Sequence, residues 1–174
     1  MKTSQEWWKE VKTDEAKFVD WLVKQHRGEV TAAQRIEAFA EKYAISDKHK
    51  KTLSLIAKQE RQHASWVAEL LESRGIKQDV SCAEEKYWRE TLPKIESFET
   101  GAAVGAHAEK MRLERIRVIA SDISAPEDVR ETFKKILKDE LFHEKAFRNM
   151  AGDDAMKKTF HSHESGLNAL GLEI

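Results

Sequence analysis

From Asp14 to about Tyr43, the positions Phe18, Trp21/Leu22, Gln25/His26, Glu29, Ala32/Ala33, Ile36 and Phe39/Ala40 recur every three or four residues. This spacing predicts one long amphipathic helix that continues through Gly28. Ser46 and Asp47 then offer an N-cap, and a second stripe follows through Leu53, Ile56/Ala57, Glu60, His63/Ala64, Val67 and Leu70/Leu71. It stops at Gly75, suited to the position after a helix C-cap. A third stripe runs through Ala102, Gly105/Ala106, Glu109, Arg112/Leu113, Ile116 and Ile119/Ala120. Ser124-Ala125-Pro126-Glu127 reads as a capping box that opens a fourth stripe of Phe133, Ile136/Leu137, Glu140, His143, Phe147 and Met150, closed by Gly152. The expected fold is all-α: two antiparallel hairpins joined by one long crossover, a four-helix bundle whose core spans residues 14–151. The crossover, Ile76 to about Ser97, carries a helical piece around Glu84 to Thr91, and Pro93. Residues 1–12, with Trp7 and Trp8, are expected to pack across one end, and residues 153–174 leave room for a short fifth helix.

Composition narrows the function classes. A chain of 174 residues fits a single domain spanning 1–174. Thirty Lys+Arg against 31 Asp+Glu leave no general basic field for nucleic acid or anionic lipid. The single cysteine, Cys82, excludes an internal disulfide and any multi-cysteine zinc or iron–sulfur site, which fits a reducing cytoplasm. No apolar run has the length of a signal peptide core or a membrane span. Nucleophile elbows, phosphate loops and dinucleotide fingerprints are absent from the sequence as well.

The candidate chemistry lies in the stripes themselves. Each carries a glutamate near its middle, and two of these have a histidine three residues on: Glu60-Arg61-Gln62-His63 and Glu140-Leu141-Phe142-His143. Positions i and i+3 share a helix face. With 22 Glu and 7 His in the chain, one such motif is within chance. Height within the bundle is more selective. Glu29 and Glu60 both lie about 15 residues from the first hairpin turn, and Glu109 and Glu140 about 14 and 17 from the second, a mismatch of less than about one helical turn. Glu37 and Glu114 lie nearer their turns and off the stripe. An offset of 80 residues superposes Glu29 on Glu109, Glu60 on Glu140 and His63 on His143, so the hairpins look like copies. Four carboxylates facing one apolar core are costly unless neutralised. Two divalent cations would balance them, and two imidazoles complete a nitrogen/oxygen set suited to iron or manganese. Pairing with Arg112, Arg61 or lysines is the alternative.

A Glu from each of two helices and a Glu-x-x-His from each of the other two is the pattern of the ferritin-like di-iron carboxylate proteins. The sequence resembles that superfamily over residues 14–151, and Asp139 to Phe147 is particularly similar to the fourth helix of rubrerythrin-like members. The resemblance implies Glu29 and His63 on one metal ion, Glu109 and His143 on the other, and Glu60 and Glu140 bridging. It further implies a di-iron oxidoreductase acting on O2 or peroxide, with a small-molecule substrate and an external electron donor. Iron handling, as ferroxidase or storage protein, is the alternative, and a homodimer is compatible with either. Two departures bear on this. Arg112 stands where rubrerythrins add a glutamate, and Arg61 stands where bacterioferritins carry a haem-binding methionine. His26, one turn before Glu29, and Arg112 are candidates for groups just outside the ligands. Trp21 and Trp66 read as core rings, with redox-active or pocket-lining rings near the site the alternative, and His161-Ser162-His163-Glu164 reads as surface, with metal binding from the tail the alternative.

Overall fold

The structure, a computed structural model, describes residues 2–81 and 86–172. Its described residues form α1 (Ser4–Thr13), α2 (Glu15–Tyr43), α3 (Asp47–Glu72), α4 (Lys86–Thr91), a 3-10 turn (Leu92–Lys94), α5 (Phe98–Ser121) and α6 (Glu127–Ala169), with no strand. The caps follow local chemistry. Asp14 accepts from the Lys17 amide, Ser46 from His49 and Ser97 from Thr100, so each opening turn has one of its free N–H groups satisfied. Gly75, at φ +64°, ends α3, while the Ile76 amide returns to the Leu71 carbonyl. The expected capping box at Ser124 does not form. Pro126 is the N-cap of α6 with no side-chain bond, and the Ser124 hydroxyl instead donates to Asp122 at 2.7 Å. Cys82 and Glu84 lie outside the described residues.

Helices α2 and α3 make one antiparallel hairpin, α5 and α6 the other, and α3 packs on α6. The apolar core is divided into two clusters. One gathers Trp8, Trp21, Leu22, Leu71, Ile119, Phe133 and Ile136 near the α5–α6 turn. The other gathers Ile36, Leu53, Ile56, Ala102, Ala106 and Phe147 toward the α2–α3 turn. Between them lie the polar mid-heights of all four long helices. α1 closes the first cluster: Trp8 is buried edge-on to Trp21 at 5.0 Å and donates from Nε1 to Asp122 at 2.8 Å. Burial would push the Asp122 carboxyl up, but bonds from Lys12, Ser124 and Trp8 hold it well below the usual range.

The C-terminal segment is longer than the short helix expected. Gly152 takes φ +73°, a left-handed value that costs glycine little, and kinks α6 there. The chain then turns back along α5, where the His107 Nε2 lies 3.1 Å from the Thr159 hydroxyl. In this arm His163 is buried, 2.9 Å from the Tyr87 hydroxyl and stacked on His107 at 4.6 Å. The surface reading of the 161–164 run therefore holds for His161 but fails for Ser162 and His163. The arm's packing against α4, which the stripe pattern alone did not reveal, is the reason. No helix among the described residues is long and apolar enough to cross a membrane.

Candidate metal centre

The mid-helix stripes bring Glu29 of α2, Glu60 and His63 of α3, Glu109 of α5, and Glu140 and His143 of α6 into one buried cluster, in which every residue but Glu109 has no solvent exposure at all. Their ligand atoms fall into two overlapping quartets, Glu29-Glu60-His63-Glu140 and Glu60-Glu109-Glu140-His143, each with its atoms within 4.8 Å of one another. Glu60 and Glu140 belong to both. Glu37 and Glu114 are exposed on the outside of the bundle, with Glu37 paired to Arg61.

Many of these atoms have no hydrogen-bond partner. Both oxygens of Glu60 and Glu140, one of Glu109, and Nδ1 of His63 and His143 are buried without a well-aligned hydrogen bond, meeting one another and Arg112 as ion pairs. Buried polar groups are seldom left so, and the convergence of five such residues marks a place built for a positive ion. The far sides of the imidazoles, by contrast, are held. His63 Nε2 lies 3.1 Å from Asp139 of α6, and His143 Nε2 lies 3.1 Å from Gln59 of α3. Gln59 donates to Asp139 at 2.8 Å. The residue before each shared glutamate thus holds the histidine of the opposite helix and aims its Nδ1 inward, the arrangement that orients metal-ligating imidazoles. Sequence reasoning did not single out this crossed pair. Its signal is the position preceding each Glu-x-x-His, polar in both copies.

Arg112 enters the cluster from α5. Its guanidinium is 2.7 Å from Glu29 Oε2, 2.9 Å from Glu140, 3.5 Å from Glu60 and 3.8 Å from Glu109. It therefore faces the site and lies chiefly on the first quartet, while Gln25 donates to the other oxygen of Glu29 at 2.6 Å. Burial disfavours charge on every group here, and the partners decide each outcome. Glu60 is raised by burial but held below the usual carboxylate range by Arg112 and the histidines. Glu140, under the same opposition, is brought to about 2. Glu109 is driven well above the usual range by burial and by Glu140, against Arg112. Burial opposes a charged His63, yet Glu29, Glu60 and Glu140 raise it to about 11. His143 is likewise raised by Glu140 and Glu60 against its burial. Arg112 stays charged, its desolvation outweighed by the carboxylates. Without metal, Arg112 balances the carboxylates, and the surroundings favour the protonated forms of His63, His143 and Glu109.

His26 is buried with an unpartnered Nδ1, and burial lowers its proton affinity against the pull of Glu29. Trp21 is a core ring. Trp66 is half-buried and stacks on His63 at 5.7 Å.

An all-α bundle with this buried carboxylate and histidine cluster is ferritin-like, and the set is able to hold a pair of metal ions. The rubrerythrin family model matches residues 20–151, well over half of the chain, and the chain belongs to that family. Comparisons with curated proteins and with solved structures gave no match.

Proposed function

We propose that the protein is a di-iron oxidoreductase of the ferritin-like type. In this reading Glu29 and His63 hold one ion, Glu109 and His143 the other, and Glu60 and Glu140 bridge them. The observation that carries it is the set of buried oxygen and Nδ1 atoms without a well-aligned hydrogen bond, converging in two quartets that share two glutamates. Oxygen and imidazole donors without thiolate suit iron or manganese. When bound, a pair of iron(II) ions supplies the electrons for reducing O2 or peroxide.

The chain's own residues set the conditions for that chemistry. Asp139 and Gln59 fix the imidazole rings, so the ligand geometry is already set before metal arrives. The two apolar clusters exclude water above and below the site. Arg112 cannot coordinate metal, so its place on α5 offers no extra carboxylate to which a metal could shift. A site that keeps one ligand set favours O2 over peroxide. In this reading electrons come from an external donor.

The test is anaerobic Fe(II) titration followed by mixing with O2 or with hydrogen peroxide. Two irons per chain, oxidised by O2 at least as fast as by peroxide, are expected. Zero irons with the six residues intact would sink the metal reading. Much faster reaction with peroxide, with a ligand change between oxidised and reduced crystal structures, would return the protein to the peroxidases. Light scattering addresses the storage alternative, which requires a large hollow oligomer.

A further inference from the structure

Helices α2 and α5 leave a groove of about 560 Å³ between them, within the range of about 300–1,000 Å³ typical of small-ligand clefts. Its cations are nearly all committed. Lys17 is paired with Glu10, Lys24 with Asp20, Arg27 with Asp79, and Arg112 with the cluster carboxylates. Arg35 lies over the Trp88 ring at 4.4 Å. Arg115 is the exception. Its guanidinium stacks on Trp7 at 4.6 Å, its Nε is buried without a partner, and it forms no hydrogen bond or ion pair among the described residues. Burial alone acts on it, lowering its proton affinity. Arg115 is half-buried, and an Nε shut off from water with no counter-charge beside it is costly, a cost that falls when an anion binds the guanidinium. Its planar fork matches a carboxylate, and the aromatic partner already holds its plane.

The groove continues past Arg112 into a smaller chamber of about 80 Å³, with which it shares Ala32, Trp88 and Ala108. The chamber walls are Ile36, Phe39, Val104 and Phe147, and Glu109 stands at its side. From Arg115 to Val104 is about 16 Å along α5 at 1.5 Å per residue. One unpaired cation at one end and an apolar chamber at the other define an amphipathic monoanion. A dianion would need a second free cation, and Glu10 and Asp20 in the groove wall oppose it.

We infer that the α2/α5 groove binds a monocarboxylic acid of medium chain length, with its carboxylate on Arg115 and its apolar end beside Glu109. This rests on the proposed oxidoreductase reading in making the acid a substrate; the binding itself does not require metal.

The experiment compares octanoate with 1-octanol by calorimetry and tryptophan fluorescence, on metal-free and Fe(II)-loaded protein, with iron content measured in the same samples. Octanoate is expected to bind at least 10-fold more tightly than octanol. Arg115→Met should bring the two within about twofold. Ala108→Trp, which blocks the path while leaving Arg115, should weaken octanoate at least 10-fold. Equal binding of acid and alcohol by the natural chain, or a preference that survives Arg115→Met, would overturn the inference. Should Arg115→Met fail to fold, an Ala108→Trp variant that binds octanoate normally overturns it equally. Two irons without acid binding defeats this inference alone, and acid binding without iron defeats only the metal reading.

Discussion

Eighty residues apart, Glu29 and Glu109 occupy corresponding places in the two hairpins, yet their surroundings differ sharply. Glu29 is satisfied at both oxygens, by Gln25 and by Arg112. Glu109 keeps an oxygen without a hydrogen bond, and burial and Glu140 raise its proton affinity. The shared parts are nearly symmetric: Gln59 and Asp139 cross-hold the histidines, and Glu60 and Glu140 face both sides. The difference comes from Arg112, whose counterpart in the first hairpin is Ala32. The Glu29 side of the cluster is therefore hydrogen-bonded to a protein cation, which reaches Glu109 only at 3.8 Å. A proton leaves more readily than an anchored guanidinium, so the Glu109–His143 side should accept metal first and the Glu29–His63 side second.

The largest effect expected is loss of the whole centre. Glu60→Ala or Glu140→Ala removes a ligand common to both quartets, so metal content should fall from two per chain to near zero by elemental analysis. Glu37→Ala and Glu114→Ala, on the outside, should leave it unchanged. Loss of a single ion in the Glu60 variant would show that the two sides do not share that carboxylate. Linkage supplies a second readout: ligand at 100 times its dissociation constant stabilises the fold by about 2.7 kcal/mol, so the metal-dependent rise in Tm should vanish with the ligand.

Next in size is Arg112→Met, which deletes the asymmetry. Removing one partner of a buried ion network costs about 3–5 kcal/mol because the carboxylates are left uncompensated. Chemical denaturation should show that loss in chelator and recover most of it with metal. Calorimetry should show a tight and a weak binding event in the natural chain converging toward two similar ones in the variant. Two equal events in the natural chain would refute the order of filling argued above.

Proton traffic gives a third, smaller effect. The surroundings raise the proton affinity of His63, His143 and Glu109, so filling both sides should release protons, followed by calorimetry in buffers of different ionisation enthalpy. Affinity should accordingly rise with pH across the neutral range. In the metal-free protein the signs are separate. The raised His63 stabilises the fold fully below its unfolded value near 6.5, and that contribution is lost as pH rises toward about 11. The lowered Glu140 contributes above its unfolded value near 4.3, and its share is lost as pH falls toward about 2.

The bundle and the gathering of the six cluster residues were legible because both follow from helical periodicity and from equal distance to a turn, quantities a sequence contains directly. Arg112 was legible as a cation one turn from Glu109. Its contact with all four glutamates was not, since that depends on how closely α2 and α5 approach. The crossed pair of Gln59 and Asp139 depends on the rotation of α3 against α6, which no single helix specifies. The burial of His163 was missed for a related reason. Its environment is made by Tyr87 from the crossover, a segment with weak periodicity, and by the reversal at Gly152. Long-range pairings of this kind escape local pattern, whereas faces and heights do not.

The smallest effect expected tests why the second hairpin lacks a match for Gln25. At the corresponding place stands Gly105, where even a Cβ would come within 2.8 Å of the Phe147 ring, so α5 has no room for an amide beside Glu109. Gln25 bonds Glu29 Oε1, whereas Arg112 bonds Oε2. If a metal ion replaced Arg112, Gln25 would still hold the Glu29 carboxylate through Oε1. Outer partners of this type are worth about 10–100-fold in metal affinity, and one neutral amide belongs at the low end. Gln25→Leu should therefore weaken only the second binding event, by about 10-fold, and leave the first unchanged in the same titration. A variant that weakens both events equally would mean that Gln25 supports the bundle as a whole, and the contrast between Glu29 and Glu109 would then rest on Arg112 alone.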